Sequence, residues 1–263
     1  MLHVARCAYL ANRYAPVLTR RTVGTALVRG KFGSLIKVWL HPNGSPVGTG
    51  TTVDSVQDYS GNNVSIAQAT VAKQPLKSAT SNVPGFAFDG VNDCLQSASV
   101  DFSPSQSVTI ALVEYRNNNI VANELEQTAS FATSTTAFAA LVNDNNIAQL
   151  VPAFKGNVGN QVGYYPLATQ QWFPIVYVFD KAQAAANEIR LYARGQALTF
   201  NLVASSNNTN GFGAGVLNFG SRDNGASLPL TGSLAQAFVL STGLTESDAY
   251  WLSMYLAQAG GIT

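Results

Sequence analysis

Apolar and polar residues alternate with period two over short runs, and Gly- and Asn-rich breaks separate the runs; this pattern predicts strands. In Ser34–Leu40, Ile36, Val38 and Leu40 fall on one side and Leu35, Lys37 and Trp39 on the other. Val108, Ile110 and Leu112 line one side of Val108–Tyr115. In Phe173–Phe179 the odd positions Phe173, Ile175, Tyr177 and Phe179 face one way and Val176 and Val178 the other, so both faces of this strand are expected to be covered. Glu188–Ala193, Gly215–Gly220 and Leu234–Leu240 complete the set, which describes an antiparallel sandwich. Near the C-terminus the period changes: Trp251, Leu252, Tyr255 and Leu256 recur at helical spacing, Thr245 and Asp248 resemble a capping box, and Gly260-Gly261 supplies a stop. This helix is expected against the rim of the sandwich. Ahead of the sandwich, Tyr9, Leu10 and Tyr14 suit one face of a short helix and Val23–Val28 a short strand.

Two loops stand out. Asp58-Tyr59-Ser60-Gly61-Asn62-Asn63 and Phe86-Ala87-Phe88-Asp89-Gly90-Val91-Asn92-Asp93-Cys94-Leu95 both carry turn chemistry. Gly61 and Gly90 accept positive φ, while the adjoining Asn and Asp side chains bond their own backbone. Alternating apolar residues flank the second loop, so it reads as a hairpin connection. The pair "D-x-SGN" and "F-D-G-x-x-D-x-L" resembles laminin-G-like, concanavalin A-like domains of bacteriophage virion proteins. Gly232–Ser241 followed by Leu244–Asp248 is similar to that family's last strand and closing helix, and Gln171-Trp172 with Ile189–Gly195 to its "W…V…LYVNG" hairpin. The resemblance spans residues 36 to 259 and implies an all-β, concanavalin A-like (laminin-G-like) antiparallel β-sandwich or jelly roll, with one short C-terminal helix and an N-terminal extension. It also implies a virion protein without catalytic activity. The leading expectation is a capsid decoration or head-fibre protein; the alternative is a tail or baseplate appendage that binds host surface glycan. A homo-oligomer is the expected form, and a trimer is compatible with either setting, though nothing in the sequence counts subunits.

Composition sharpens the division of the chain. Charged residues are only 11% and apolar residues 46%, which excludes a disordered chain. Residues 1–53 hold Arg6, Arg13, Arg20, Arg21, Arg29, Lys31 and Lys37 with no acid, while the remainder holds eight basic and fourteen acidic residues. We therefore read residues 1–33 as a basic attachment arm and 34–263 as the sandwich, with Arg6, Arg13, Arg20, Arg21 and Arg29 facing acidic surfaces of other virion subunits, capsid or tail. Nucleic acid is a weaker partner for the arm, because the body shows no basic groove with interleaved aromatics. No apolar run is long enough for a membrane-spanning helix. Cys7 and Cys94 are the only cysteines, read as two free thiols in preference to a bridge.

Candidate chemistry is sparse. His3 and His41 are the only histidines, so a Ser-His-Asp or Cys-His site is not expected. Glu124-Leu125-Glu126 has the alternate spacing that puts two acids on one strand face, as in jelly-roll glycosidases, but Gln127, Ala129 and Ser130 stand where further acids belong. No catalytic residue is assigned. Asp89, Asn92 and Asp93, or Asn143–Asn146, are calcium candidates by oxygen content, though such loops more often cap their own backbones. Among aromatics in loops, Tyr164 and Tyr165 are the candidate glycan contacts, with a core or interface role as the alternative.

Overall fold

A computed structural model describes residues 20–128, 131, 133–144, 147–204 and 206–261, the side chains of 20–24, 144 and 204 excepted. The chain divides into two compact units after Ser34. In the first, α1 (Arg20–Phe32) is helical, so the strand expected at Val23–Val28 is not formed. A six-residue window hid the longer period, in which Val28 and Phe32 stand four apart and both are buried. Arg29 and Lys31 occupy the last turn, where the helix dipole favours cations.

The second unit is an antiparallel β-sandwich. Its first sheet, A, runs β15 (Gln196–Leu198), β14 (Ile189–Ala193), β13 (Trp172–Asp180), β8 (Ser107–Arg116), β19 (Thr231–Leu240), β5 (Val83–Asp89) and β4 (Leu76–Thr80). One edge of β19 is shared, Thr231–Leu234 pairing with β5 and Ala237–Leu240 with β1 (Ile36–Leu40). Sheet B runs β16 (Asn201–Ala204), β12 (Asn160–Pro166), β11 (Ile147–Lys155), β10 (Phe138–Asp144), β9 (Ala122–Gln127), β18 (Leu217–Phe219), β6 (Leu95–Ser97), β3 (Ile66–Ala67) and β2 (Ser55–Val56). β7 (Val100–Asp101) and β17 (Ala214–Gly215) pair as a separate short antiparallel ribbon.

The period-two reading places the core correctly. Val108, Ile110 and Leu112 of β8 and Phe173, Ile175, Tyr177 and Phe179 of β13 meet Leu125, Phe138, Val142, Leu150, Phe154, Leu217 and Phe219 of sheet B. Phe154 packs edge-on against Phe179 at 5.6 Å and Phe212 at 5.8 Å, and Phe138 against Phe102 at 5.1 Å. Each fully buried apolar side chain of this size contributes roughly 1.5–3 kcal/mol.

Two expectations change. The helix α2 (Glu246–Ala259), capped by Thr245 Oγ1 accepting from Asp248 N at 3.3 Å, lies on the outer face of sheet A, over β13, β14 and β8, and not at the rim. Val176, Val178, Ala111 and Val113 make that face apolar, and it needs a cover; α2 supplies buried Ala249, Leu252 and Leu256. The Asp89–Asp93 loop is likewise not a hairpin. β5 bonds to β4 and β19, whereas β6 bonds to β3 and β18, so the loop carries the chain from one sheet to the other.

Both motif loops serve the fold. The Asp58 carboxylate accepts Trp39 N and Ser60 N at 2.9 Å, Val64 N at 3.2 Å and Ser60 Oγ at 2.5 Å. Asn62 Nδ2 donates to Ile36 O at 2.7 Å and Lys37 O at 3.1 Å. The "D-x-SGN" turn is therefore a clamp on β1. In the other loop Asp89 Oδ1 accepts Val91 N at 2.8 Å, and Asp93 Oδ2 accepts Asp89 N at 3.0 Å.

Candidate functional site

The sequence offers Glu124 and Glu126 as two acids on one face of β9. The structure separates them. Leu125 pairs with Ala140 and Asn123 with Leu141, so the register skips Glu124 in a β-bulge. The extra residue re-aims the strand: Glu124 turns into the core, where Tyr177 OH donates to its Oε2 at 3.4 Å, while Glu126 stands on the outer face of sheet B.

Cross-strand pairing defines that outer face. One row runs Ala67, Gln96, Asn218, Glu126, Ala139, Ala153 and Val162. Small side chains on β10 and β11 thus flank the single carboxylate of the row. Arg222 reaches it from the loop after β18, with Nε 2.7 Å and Nη2 2.6 Å from Glu126 Oε2. Burial raises the Glu126 carboxyl above its ordinary range, Arg222 opposes the shift, and the charge of Asp223 adds to it. Glu126 itself is fully buried, whereas the Arg222 side chain keeps 22% of its surface. Glu126 therefore holds Arg222 in place, and Arg222 is the group presented.

The loop that delivers Arg222 is built for the purpose. Gly220 takes φ +83°, and a Cβ there would overlap the Phe88 ring, so only glycine allows the chain to leave β18 at that angle. Asp223, Asn224 and Gly225 follow with φ of 51°, 52° and 86°, a left-handed turn that Asp, Asn and Gly tolerate. Polar side chains hold it: Gln68 Nε2 donates to Asn224 Oδ1 and Lys73 Nζ to Asn224 O, both at 2.8 Å, and Asn224 N donates to Asn218 Oδ1 of β18 at 3.4 Å, an oxygen that also accepts Gln96 Nε2 at 2.9 Å. The Arg222 guanidinium then lies 5.2 Å from the Phe131 ring centroid, and Lys155 Nζ lies 5.1 Å from the same ring. Arg222 and Phe131 were not singled out by sequence reasoning. The Asp223-Asn224-Gly225 turn was the available signal that a short loop projects the preceding arginine.

Tyr164 and Tyr165, read together as glycan contacts, point in opposite directions, because successive strand residues alternate. Tyr165 packs against the core. Tyr164, half-buried, is left on the outer face with Val162 and pairs with Asn201. It lies three strands from Glu126, roughly 15 Å at the usual strand spacing.

The other candidates fall elsewhere. Arg6, Arg13 and Cys7 lie outside the described residues; Arg20, Arg21 and Arg29 are on α1. Cys94 is a buried free thiol. Asp89 and Asp93 spend oxygens on their own loop, and desolvation raises Asp93 to about 6. Asn143 Oδ1 accepts Arg116 Nη1 at 2.9 Å, while Asn145 and Asn146 lie outside the described residues. Among the described residues no three His, Cys, Asp or Glu side chains converge as a metal site.

No protein-family model and no curated protein sequence matches the chain. Solved structures do match its fold. A botulinum neurotoxin type C structure, described as entering cells through two ganglioside molecules, is 12% identical over 86% of this chain and 52% of its own, with a TM-score of 0.56. A Trypanosoma rangeli sialidase in complex with sialic acid is 14% identical over 86% of this chain and 33% of its own, TM-score 0.54. An arabinofuranosidase complexed with arabinofuranosyl-α-1,2-xylobiose is 11% identical over 80% of this chain and 51% of its own, TM-score 0.56. The chain thus spans between a third and about half of each of these proteins. At such identities the likeness establishes the jelly-roll β-sandwich and nothing finer.

Proposed function

We propose that this chain is a non-enzymatic, glycan-recognising β-sandwich displayed on a bacteriophage particle, with the outer face of sheet B as its contact surface. One observation carries the reading: that face holds an aromatic ring, Tyr164, on the same surface as a guanidinium, Arg222, fixed by a carboxylate beneath it. Saccharides present apolar ring faces for stacking and hydroxyls for charge-assisted hydrogen bonds, and this surface offers a partner for each.

Titration against host surface polysaccharide tests the reading. Tyr164→Ala and Arg222→Ala should each weaken binding about tenfold, on the order of 1.4 kcal/mol. Tyr165→Ala should instead lower the melting temperature, since its ring packs inward. Equal affinity for wild type and both outer-face variants would rule the surface out.

Placement on the particle rests on a different observation, the opposite charge of residues 1–53 and the remainder. This supports capsid decoration or head-fibre attachment through residues 1–33 to acidic virion subunits. A variant lacking residues 1–33 is expected to fold yet fail to enter particles; normal incorporation would remove the attachment role.

A further inference from the structure

The sandwich core holds an ionisable cluster that the glycan reading does not use. Glu114 and Arg116 come from β8, Glu124 from the bulge of β9 and Tyr177 from β13, and their exposures are 1%, 2%, 0% and 0%. Arg116 Nε lies 3.2 Å from Glu114 Oε2. The rest of the guanidinium is spoken for, donating to Asn143 Oδ1 at 2.9 Å, Gln149 O at 3.1 Å and Leu167 O at 3.2 Å. Glu124 receives the long bond from Tyr177 OH at 3.4 Å and lies within reach of the Glu114 charge. Two carboxyl groups therefore share one cation, and both oxygens of Glu114 and Oε1 of Glu124 have no hydrogen-bond donor among the described residues, Arg116 meeting Glu114 as an ion pair alone.

Two carboxylates and one guanidinium leave an uncompensated negative charge in a low-dielectric interior, which is strongly unfavourable. A proton between the carboxyls removes that charge and supplies the missing donor. We propose that Glu114 and Glu124 share one proton inside the folded sandwich at neutral pH, which makes the contact between the two sheets at this end firm in acid and weaker in alkali. β8 and β9 belong to opposite sheets, so losing the proton sets like charges against each other across the core.

The groups that face Glu124 are Glu114 and Arg116 from β8 and Tyr177 from β13; Asn143 of β10 is neutral. Arg116 pairs with Glu114 at 3.2 Å, so Glu124 is the carboxyl that carries the proton. Burial, and then the Glu114 charge, push Glu124 well above the usual carboxylate range. An unfolded Glu ionises near about 4.3. The folded state thus keeps a proton that the unfolded chain gives up, and this contribution is complete below the unfolded value and fades as pH climbs toward the folded one.

Urea unfolding of the full chain between about pH 5 and pH 9 tests this, comparing wild type with Glu124→Gln. Relative to the variant, the wild-type folding constant should fall as pH rises above the unfolded value, by up to about tenfold per pH unit. Parallel profiles would overturn the proposal. Isotope-edited infrared spectroscopy of wild type gives a readout independent of the variant's folding: one un-ionised glutamate carboxyl is expected at pH 7, and a spectrum with every glutamate ionised would also overturn it.

Discussion

Asp58→Ala is expected to lower the unfolding free energy by about 3–5 kcal/mol, because hydrogen bonds to a charged acceptor are worth about 1.5–3 kcal/mol each and buried donors left without one cost more. The carboxylate, 4% exposed, serves three backbone amides on two segments, Trp39 on one and Ser60 and Val64 on the other. Without it β1 keeps its pairing with β19, the Asn62 bonds and the Tyr59 N to Trp39 O bond at 3.0 Å, but loses the carboxylate that joins Trp39 N to the turn. Trp39 makes the loss visible: its ring is fully buried and packs 4.4 Å from Phe238. Asp58→Asn keeps an acceptor for one side of the clamp and should cost about half as much. Amide hydrogen exchange separates this local mechanism from general destabilisation. Trp39, Ser60 and Val64 should exchange faster in Asp58→Asn, while Ile110 and Val176 in the central strands should not. Uniform acceleration across all five would mean that the turn does not clamp β1.

The same residues show what is legible in a sequence of this kind. Strand positions were readable because alternation follows from backbone geometry and leaves its trace in side-chain type, as in Val108, Ile110 and Leu112. The two motif loops were readable as turns, since Gly61 and Gly90 adopt φ of 95° and 81°. Which sheets those turns join was not. Asp89–Asp93 looks like a hairpin locally, and only the hydrogen-bond partners of β5 and β6 show that it crosses the sandwich.

The site was less legible for a similar reason. Glu124 and Glu126 obey the alternation rule on paper, but one bulge in β9 sends them to opposite sides of sheet B, and no residue between them announces it. Arg222 stands 96 residues from Glu126 in sequence, so no local period could join them. Tyr164 and Tyr165 follow the alternation rule, which sends Tyr165 to the core, the alternative role the sequence allowed, and leaves Tyr164 on the outer face.

Arg116→Met should cost about 3–5 kcal/mol at neutral pH, the range for removing one partner of a buried ion pair. Methionine nearly matches the stem of arginine, so little of the loss comes from packing. What remains is electrostatic: Glu114 loses the cation at 3.2 Å, the carbonyls of Gln149 and Leu167 lose the guanidinium as donor, and Asn143 Oδ1 keeps only Gln149 N at 3.4 Å. The cost should shrink as pH falls, because Glu124, whose carboxyl burial pushes well above the usual range, then holds its proton more fully and fewer negative charges stand without the cation. Urea unfolding at about pH 5 and pH 8 measures this, with the smaller difference from wild type expected at the lower pH. A triple variant, Glu114→Leu with Arg116→Met and Glu124→Leu, provides the complementary test. Replacing a whole buried ionic set with apolar residues of similar volume is often neutral or stabilising, so the triple variant should recover most of what the single one loses. If it does no better than Arg116→Met, the guanidinium acts chiefly by bridging β8 to β10 and β11 through hydrogen bonds, and its charge is secondary.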